Sequence, residues 1–174
     1  MLFFGKELGN ILKPGVIIME YFDILNKDGS KSGEIAPKGQ QLSDGQYYNS
    51  KGEFLIQKRA ETKDFLPGGW DIHMGHVMAG ESSKTAIERE IHEELGIEVK
   101  RLKFIDRVIW EKYNHFIDIF AVCKDIDITN LKLEKSEVED VKYISRADMI
   151  DLIRIMDYRP KEYRDIMEKY VSEI

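Results

Sequence analysis

Three closely spaced glutamates are the residues of this chain best suited to chemistry. Glu90, Glu93 and Glu94 fall within five positions, and a helix would place them on an arc about 100° wide. Like charges three and four residues apart repel, so a helix selected only for stability would not carry them together. Clustered carboxylate oxygens are the ligands that a hard divalent cation such as Mg²⁺ requires. The spacing therefore predicts a metal-binding helix, with an ion-paired, solvated acidic face as the alternative.

The glutamates belong to a longer pattern that begins at Gly75 and ends at Ile97. The segment reads GHVMAGESSKTAIEREIHEELGI and fits G-x5-E-x7-R-E-U-x-E-E-x-G-U, in which U is a bulky aliphatic residue. Nine fixed positions of this kind match by chance on the order of once in a billion starting points. An acidic helix surface does not explain Gly75 or Glu81, so the pattern favours the metal site.

Capping residues predict where this helix begins and ends. Ser82 or Ser83 is suited to cap its start, and Gly96 is suited to end it, which predicts a helix over 84–95. An apolar stripe at four-residue spacing would bury one side of that helix. The stripe consists of Ile87, Ile91 and Leu95.

Hydrophobic periodicity and turn residues predict mixed α and β structure around the motif. The span from Ser30 to Gly45 is polar and rich in turn residues, and is predicted to be a loop. The predicted strands are 16–25, 53–59, 99–110, 116–124 and 141–145. Helices are predicted at 148–156 and 160–172.

Composition indicates a single small enzyme. A chain of 174 residues with 43% hydrophobic residues is large enough to bury a core. Its net charge of −6 argues against a general nucleic-acid or membrane surface and favours a small-molecule partner. Lys6 and Glu7 interrupt the apolar start, which argues against an export signal and predicts a cytoplasmic protein. Cys123 is predicted to be a buried, unpaired thiol.

The pattern from Gly75 to Gly96 resembles the Nudix box. This resemblance implies a MutT-like hydrolase that cleaves a diphosphate bond in a nucleoside diphosphate-linked or related compound. It implies an α/β/α sandwich with a mixed β-sheet, Mg²⁺ as the cofactor with Mn²⁺ as an alternative, and a homodimer as a frequent assembly. Arg89 and Glu81 would pair to hold the loop and the helix together, and Glu90 would also be a candidate base for water. The implied metal ligands are Glu90, Glu93, Glu94 and the backbone carbonyl of Met74.

Other charged residues are candidates for the same site. Lys58 and Arg59, at the end of a predicted strand, are suited to bind phosphate together with Lys63, although exposed basic residues are common. By family analogy Glu137 is the acidic residue chosen from a late loop as a further ligand or base. The alternative is that this loop is charged surface.

A longer resemblance, from Met19 to Leu152, is to the Nudix branch related to isopentenyl diphosphate isomerase. It implies a single Nudix domain over 19–174 and an N-terminal extension over 1–18. It also raises isomerisation of an allylic diphosphate as an alternative reaction. The isomerases place a cysteine before the Gly-His pair and bind metal through upstream histidines, whereas this chain has Met74 there and no histidine before His73. Isomerase activity is therefore disfavoured. A non-catalytic diphosphate-binding module is a second alternative, which the complete set of glutamates disfavours.

The chain departs from its relatives before the turn at Asn49. Relatives carry an apolar core strand there, but here the segment Gln46-Tyr47-Tyr48 leads straight into Asn49. The sheet is therefore expected to lack one strand, unless the N-terminal extension or a tighter connection fills the place.

Overall fold

A computed structural model describes residues 20–37, 39 and 41–174. The extension predicted at 1–18 lies outside the described residues. The strands are β1 (Phe22–Leu25), β2 (Lys31–Ala36), β3 (Gln41–Tyr48), β4 (Phe54–Arg59), β5 (Trp70–Asp71), β6 (His73–His76), β7 (Lys103–Trp110), β8 (His115–Cys123) and β9 (Val138–Ile144). The α-helices are α1 (Ser83–Leu95), α2 (Arg146–Ile155) and α3 (Lys161–Glu173).

Strand β3 lies at the centre of the main sheet. It pairs in parallel with β8 and antiparallel with β4 and β6, while β1 and β2 form a separate hairpin. The main sheet follows the order β5-β4-β3-β8-β7, with β9 added to β4. The sheet thus contains both parallel and antiparallel pairs. Strand β6, which precedes the helix α1, pairs with the central strand β3.

Helices cover both faces of this sheet. On one face, the predicted apolar stripe of α1 is fully buried against β3, β4 and β8. On the other face, α2 and α3 pack on the same strands through residues such as Met149, Ile153 and Met167. Successive residues of β8 serve the two layers in turn, because side chains of a strand alternate between its faces. These layers confirm the predicted α/β/α sandwich.

The expectation of a missing strand is wrong. Residues 41–48 form β3, and β2 also lies within the span predicted to be a loop. Hydrophobic patterning missed β3 because Ser43, Asp44 and Gln46 are all buried there, with exposed fractions of 0%, 0% and 2%. The segment forms a strand because strands on both sides of it satisfy its backbone hydrogen bonds.

Two smaller expectations also change. The first strand is shorter than 16–25 within the described residues, since β1 starts at Phe22. Cys123 is exposed rather than buried, because it ends β8 where the strand leaves the core. Among the described residues, none of the helices combines the length and the apolar character needed to cross a membrane.

Candidate functional site

Helix α1 presents the acidic residues because its opposite side is anchored in the core. The Ser82 hydroxyl accepts a hydrogen bond from the Thr85 amide at 3.1 Å and caps the N-terminus. Gly96 ends the helix in the left-handed conformation with φ of 70°. Both caps were predicted from the sequence. With Ile91 fully buried, the neighbouring arc of the helix lies beside the sheet edge formed by β6.

Arg89 connects several parts of the motif through its guanidinium group. It donates hydrogen bonds to the Glu81 carboxylate at 2.8 Å and to the His76 carbonyl at 3.0 Å. It also donates to Glu90 and Glu93, both at 3.0 Å. The predicted pair between Arg89 and Glu81 is therefore present, and it ties the loop before α1 to the helix. One guanidinium also partly neutralises the repulsion within the acidic cluster.

Gly75 has a steric reason to be glycine. A Cβ atom at this position would lie 2.0 Å from Glu90 Cγ, far inside van der Waals contact. The carboxylate of Glu90 therefore packs directly on the backbone of β6. Burial, and then the charge of Glu94, raise the pKa of Glu90 from 4.5 to about 7 against the opposing effect of Arg89. A nearby cation would relieve this unfavourable environment.

Glu94 on α1 and His73 on β6 form a buried polar pair. Glu94 is 6% exposed and His73 is 1% exposed, and their nearest charged atoms lie 3.9 Å apart. Oε2 of Glu94 and both ring nitrogens of His73 have no hydrogen-bond partner among the described residues. Buried polar atoms normally have partners. An unpaired, buried carboxylate oxygen is suited to a cation, so the donor set fits a divalent metal.

The carboxylates do not converge on one point in this arrangement. Within residues 20–37, 39 and 41–174, no three His, Cys, Asp or Glu side chains lie close enough together to hold a metal ion. Arg89 holds both Glu90 and Glu93, and the Glu93 side chain is 56% exposed. Metal binding by Glu90, Glu93 and Glu94 together therefore requires a side-chain rotation, most simply of Glu93 away from Arg89.

A cavity of about 470 Å³ opens beside Glu90 and Glu94. Met74 and Gly75 form part of its wall, as do the basic side chains of Arg59 and Lys63. The cavity thus brings together two of the predicted metal-binding glutamates and the predicted phosphate-binding Arg59.

Two other candidates differ in position. Glu137 lines the cavity and forms an ion pair with Lys63 at a distance of 2.5 Å. Lys58 lies outside the cavity lining and pairs with Glu139 at 3.0 Å, so the structure does not bring it to the acidic cluster. Side chains alternate across β4, and Lys58 and Arg59 are consecutive. Lys63, the third basic candidate predicted from the sequence, does line the cavity.

Aromatic side chains form another part of the cavity wall. Phe65, Trp110 and Tyr113 line it together with His76 and His115. The Trp110 and Tyr113 rings meet edge to face with their centroids 4.7 Å apart. Burial, and then the neighbouring His115, lower the pKa of His76 below its ordinary value of 6.5. A planar group extending from a diphosphate would therefore meet aromatic faces and neutral imidazole.

A buried charge network lies behind this wall, and no local pattern in the chain predicted it. Arg159, in the connection between α2 and α3, lies 3.4 Å from Asp44 and 3.6 Å from Asp71. All three side chains are fully buried. Arg159 also donates to the Met74 sulfur at 3.5 Å. The network therefore joins the polar strand β3 to β6, whose residue Met74 lines the cavity.

Comparisons with known proteins cover most of the chain. Residues 47–168 match the model of the NUDIX domain. An uncharacterized Nudix hydrolase of Listeria monocytogenes is 31% identical over 140 residues, which are 75% of this chain and 83% of that protein. An isopentenyl-diphosphate Delta-isomerase of Shigella flexneri is 28% identical over 160 residues, covering 81% of this chain and 84% of that protein.

Solved structures show the same architecture. The MutT protein of Methanosarcina mazei is 26% identical and superposes with a TM-score of 0.57, covering 76% of this chain and 93% of that protein. The matched segment 47–168 contains the helix α1 and the basic and aromatic cavity residues. The β1–β2 hairpin and most of β3 lie outside it.

Proposed function

This chain belongs to the Nudix family of hydrolases, and we propose that it uses a divalent metal ion to hydrolyse the diphosphate bond of a nucleoside diphosphate-linked compound. Hydrolysis of a pyrophosphate bond in nucleoside diphosphate derivatives is the general reaction of this family. The proposal adds the metal dependence, with Mg²⁺ as the ion and Mn²⁺ as the alternative. It also adds the residues that bind the ion and the substrate.

The placement of opposite charges around one cavity carries the proposal. Glu90 and Glu94 line the same 470 Å³ space as Arg59 and Lys63. Carboxylates repel a diphosphate unless a cation lies between them, whereas guanidinium and ammonium groups bind phosphate directly. A site containing both sets is suited to a substrate that arrives as an anion and is gripped partly through metal.

The side chains have separate roles in this proposal. Glu90, Glu93 and Glu94 hold the ion, which supplies neutralisation of phosphate charge that grows in the transition state. A Glu90 carboxylate oxygen accepts a proton from the attacking water. Arg59 and Lys63 bind the phosphate oxygens. Glu137 holds Lys63 in place through their ion pair.

The aromatic wall favours a nucleoside as the group beyond the diphosphate. Phe65, Trp110 and Tyr113 offer ring faces and edges that suit a planar base. The isomerase reading has less support, because the thioether of Met74 lines the cavity where the isomerases place a thiol. Cytoplasmic location and a homodimer stay predictions.

Turnover of a small diphosphate library tests the function. Nucleotide sugars, dinucleotides, nucleoside triphosphates and prenyl diphosphates would each be incubated with the protein, with Mg²⁺ or with a chelator, and the products identified. We expect Mg²⁺-dependent cleavage of a nucleoside diphosphate compound. A rearranged prenyl diphosphate would instead establish isomerase activity, and binding without any product would establish a non-catalytic module.

The variant Glu93→Gln tests the ligand assignment. We expect it to abolish metal-dependent turnover and to leave the far-ultraviolet circular dichroism and the melting temperature unchanged, since Glu93 is largely exposed. Glu98→Gln is the matched control, because it makes the same chemical change just beyond α1 on a side chain with no hydrogen bond or ion pair to the described residues. If Glu93→Gln turns over at the rate of Glu98→Gln, the metal-ligand assignment is wrong.

A further inference from the structure

We propose that the β1–β2 hairpin is a clamp that holds Arg89 in position, with Phe22, Asp23 and Lys31 as positioning residues for the metal-binding helix. This inference rests on the proposed function for its consequence in metal binding, although the clamp itself is a statement about geometry. The hairpin lies outside the segment that matches the family domain. It nevertheless contacts both sides of the loop that precedes α1.

The apolar contact of the clamp is made by Phe22. Its side chain is 7% exposed, and its ring meets the His76 ring edge to face at a centroid distance of 5.6 Å. An isolated two-stranded hairpin is at best marginally stable in water, so it needs such an anchor. The carbonyl of His76 is itself a hydrogen-bond acceptor for Arg89. The first connection therefore runs from Phe22 through His76 to the guanidinium.

The polar contacts of the clamp fix the turn at 79–81. The Tyr21 carbonyl accepts from the Ala79 amide at 2.8 Å, and the Asp23 carboxylate accepts from the Gly80 amide at 2.9 Å. Lys31 donates to the Glu81 carbonyl at 3.1 Å. Three consecutive residues of the turn are thus bonded to the hairpin.

Lys31 and Asp23 also support each other. Their charged groups lie 2.6 Å apart, and the Asp23 side chain is only 16% exposed. Asp23 in β1 and Lys31 in β2 therefore contact each other as well as the turn at 79–81. Glu81, the last residue of this turn, then binds Arg89 through its carboxylate at 2.8 Å. The second connection therefore reaches the same guanidinium from the opposite side.

Both connections end on Arg89, whose hydrogen bond to Glu90 is the one that remains in place when Glu93 rotates away to bind metal. Gly80 has φ of 87°, which makes its turn costly for any other residue. Without the hairpin, the turn at 79–81 would lose these three bonds, and among the described residues Glu81 would be held only through Met78 and Arg89. Arg89 would then have a less firmly placed partner. Partners of this outer kind orient metal ligands and typically change metal affinity or activity by about 10–100-fold when removed.

Substitutions at two lysines of the hairpin, Lys31 and Lys27, test the clamp. Lys31→Met removes the contacts to Glu81 and Asp23, and Lys31→Arg retains a donor and a positive charge. Lys27→Met is the matched control, since Lys27 lies in the same hairpin and is exposed, with no side-chain hydrogen bond or ion pair to the described residues. Mg²⁺ affinity would be measured by calorimetry on the full chain, together with amide hydrogen exchange at Ala79 and Gly80.

We expect Lys31→Met to weaken Mg²⁺ binding by about threefold to tenfold, since it acts through Glu81 and Arg89 and not on a ligand directly. Exchange at Gly80 should accelerate, kcat should fall with KM for the nucleotide nearly unchanged, and Lys31→Arg should restore most of the affinity. Asp23→Ala should reproduce the Lys31→Met result. Lys27→Met should match the wild type in every measurement.

The exchange measurement separates this inference from the proposed function. If the wild type binds no Mg²⁺, the metal assignment fails, and faster exchange at Gly80 in Lys31→Met would still support the clamp. If Lys31→Met and Lys27→Met have equal exchange rates and equal Mg²⁺ affinities, the clamp is overturned. A fall in affinity that Lys31→Arg does not restore would overturn the role of Lys31.

Discussion

Arg159→Met should destabilise the fold by about 3–5 kcal/mol, the range found when one partner of a buried ion pair is removed. Arg159 is fully buried, and its guanidinium lies within 3.4 and 3.6 Å of the Asp44 and Asp71 carboxylates. Methionine fills a similar volume but leaves two buried carboxylates with no cation. The matched control is Arg154→Met, because Arg154 is an exposed arginine whose pairs on the surface stabilise little.

The destabilisation should depend on pH in a defined direction. Burial raises the pKa of Asp44 from 3.8 to about 6, while Arg159 opposes the rise. The folded protein therefore binds more protons than the unfolded chain between these values, so wild-type stability falls as pH rises from 3.8 to about 6, by about 3 kcal/mol. Removing Arg159 raises the pKa of Asp44 further and extends the fall above pH 6. The deficit of the variant should thus be larger at about pH 8 than at about pH 5.

Urea unfolding of the wild type, Arg159→Met and Arg154→Met at both pH values measures these differences. An equal deficit at both values would refute the account of Asp44. A deficit below about 1 kcal/mol, the scale of a surface pair, would refute the buried network itself. The double variant Asp44→Asn with Arg159→Met should recover part of the stability at about pH 8, because it removes one uncompensated charge.

Three further substitutions probe the site and its helix. Gly75→Ala should lower kcat at least about tenfold and destabilise the fold by about 1–3 kcal/mol, because the new Cβ displaces Glu90; wild-type turnover would contradict the packing of Glu90 on β6. Ser82→Ala should lower the free energy of unfolding by about 1 kcal/mol in urea titrations, and no change would mean that the Thr85 amide finds another acceptor. Phe65→Ala should raise KM for the nucleotide substrate by up to about tenfold, the equivalent of one aromatic contact, and an unaltered KM would place the base elsewhere.

The motif helix could be predicted from the sequence because its signals are local. The serine and glycine caps and the stripe of Ile87, Ile91 and Leu95 act within a few residues of one another, and the structure places α1 within one residue of the predicted bounds. Strands β8 and β9 also carried enough apolar residues to be found.

Strand β3 could not be predicted because its partners are distant in the chain. Asp44 is buried near Arg159, and the Gln41 side chain donates to Asp118 at 2.9 Å, so these polar residues are stabilised by groups that periodicity does not register. The cavity partners of Glu90 were missed in part for the same reason. Tyr113, which sequence reasoning did not single out, comes to line the same cavity only after the sheet has assembled.

The polar central strand has a consequence for how a nascent chain acquires its structure. Residues 41–48 pair in register with Phe116–Cys123, which are 75 positions later, and aspartate and glycine have low strand propensity. The segment therefore has little tendency to extend by itself, and its longest pairing forms only when its neighbour has left the ribosome and formed a hairpin with β7. Pulse-labelled hydrogen exchange during refolding should find the amides of Ser43 and Gln46 protected after those of Ile117 and Ile119, so that the middle of the sheet is completed last.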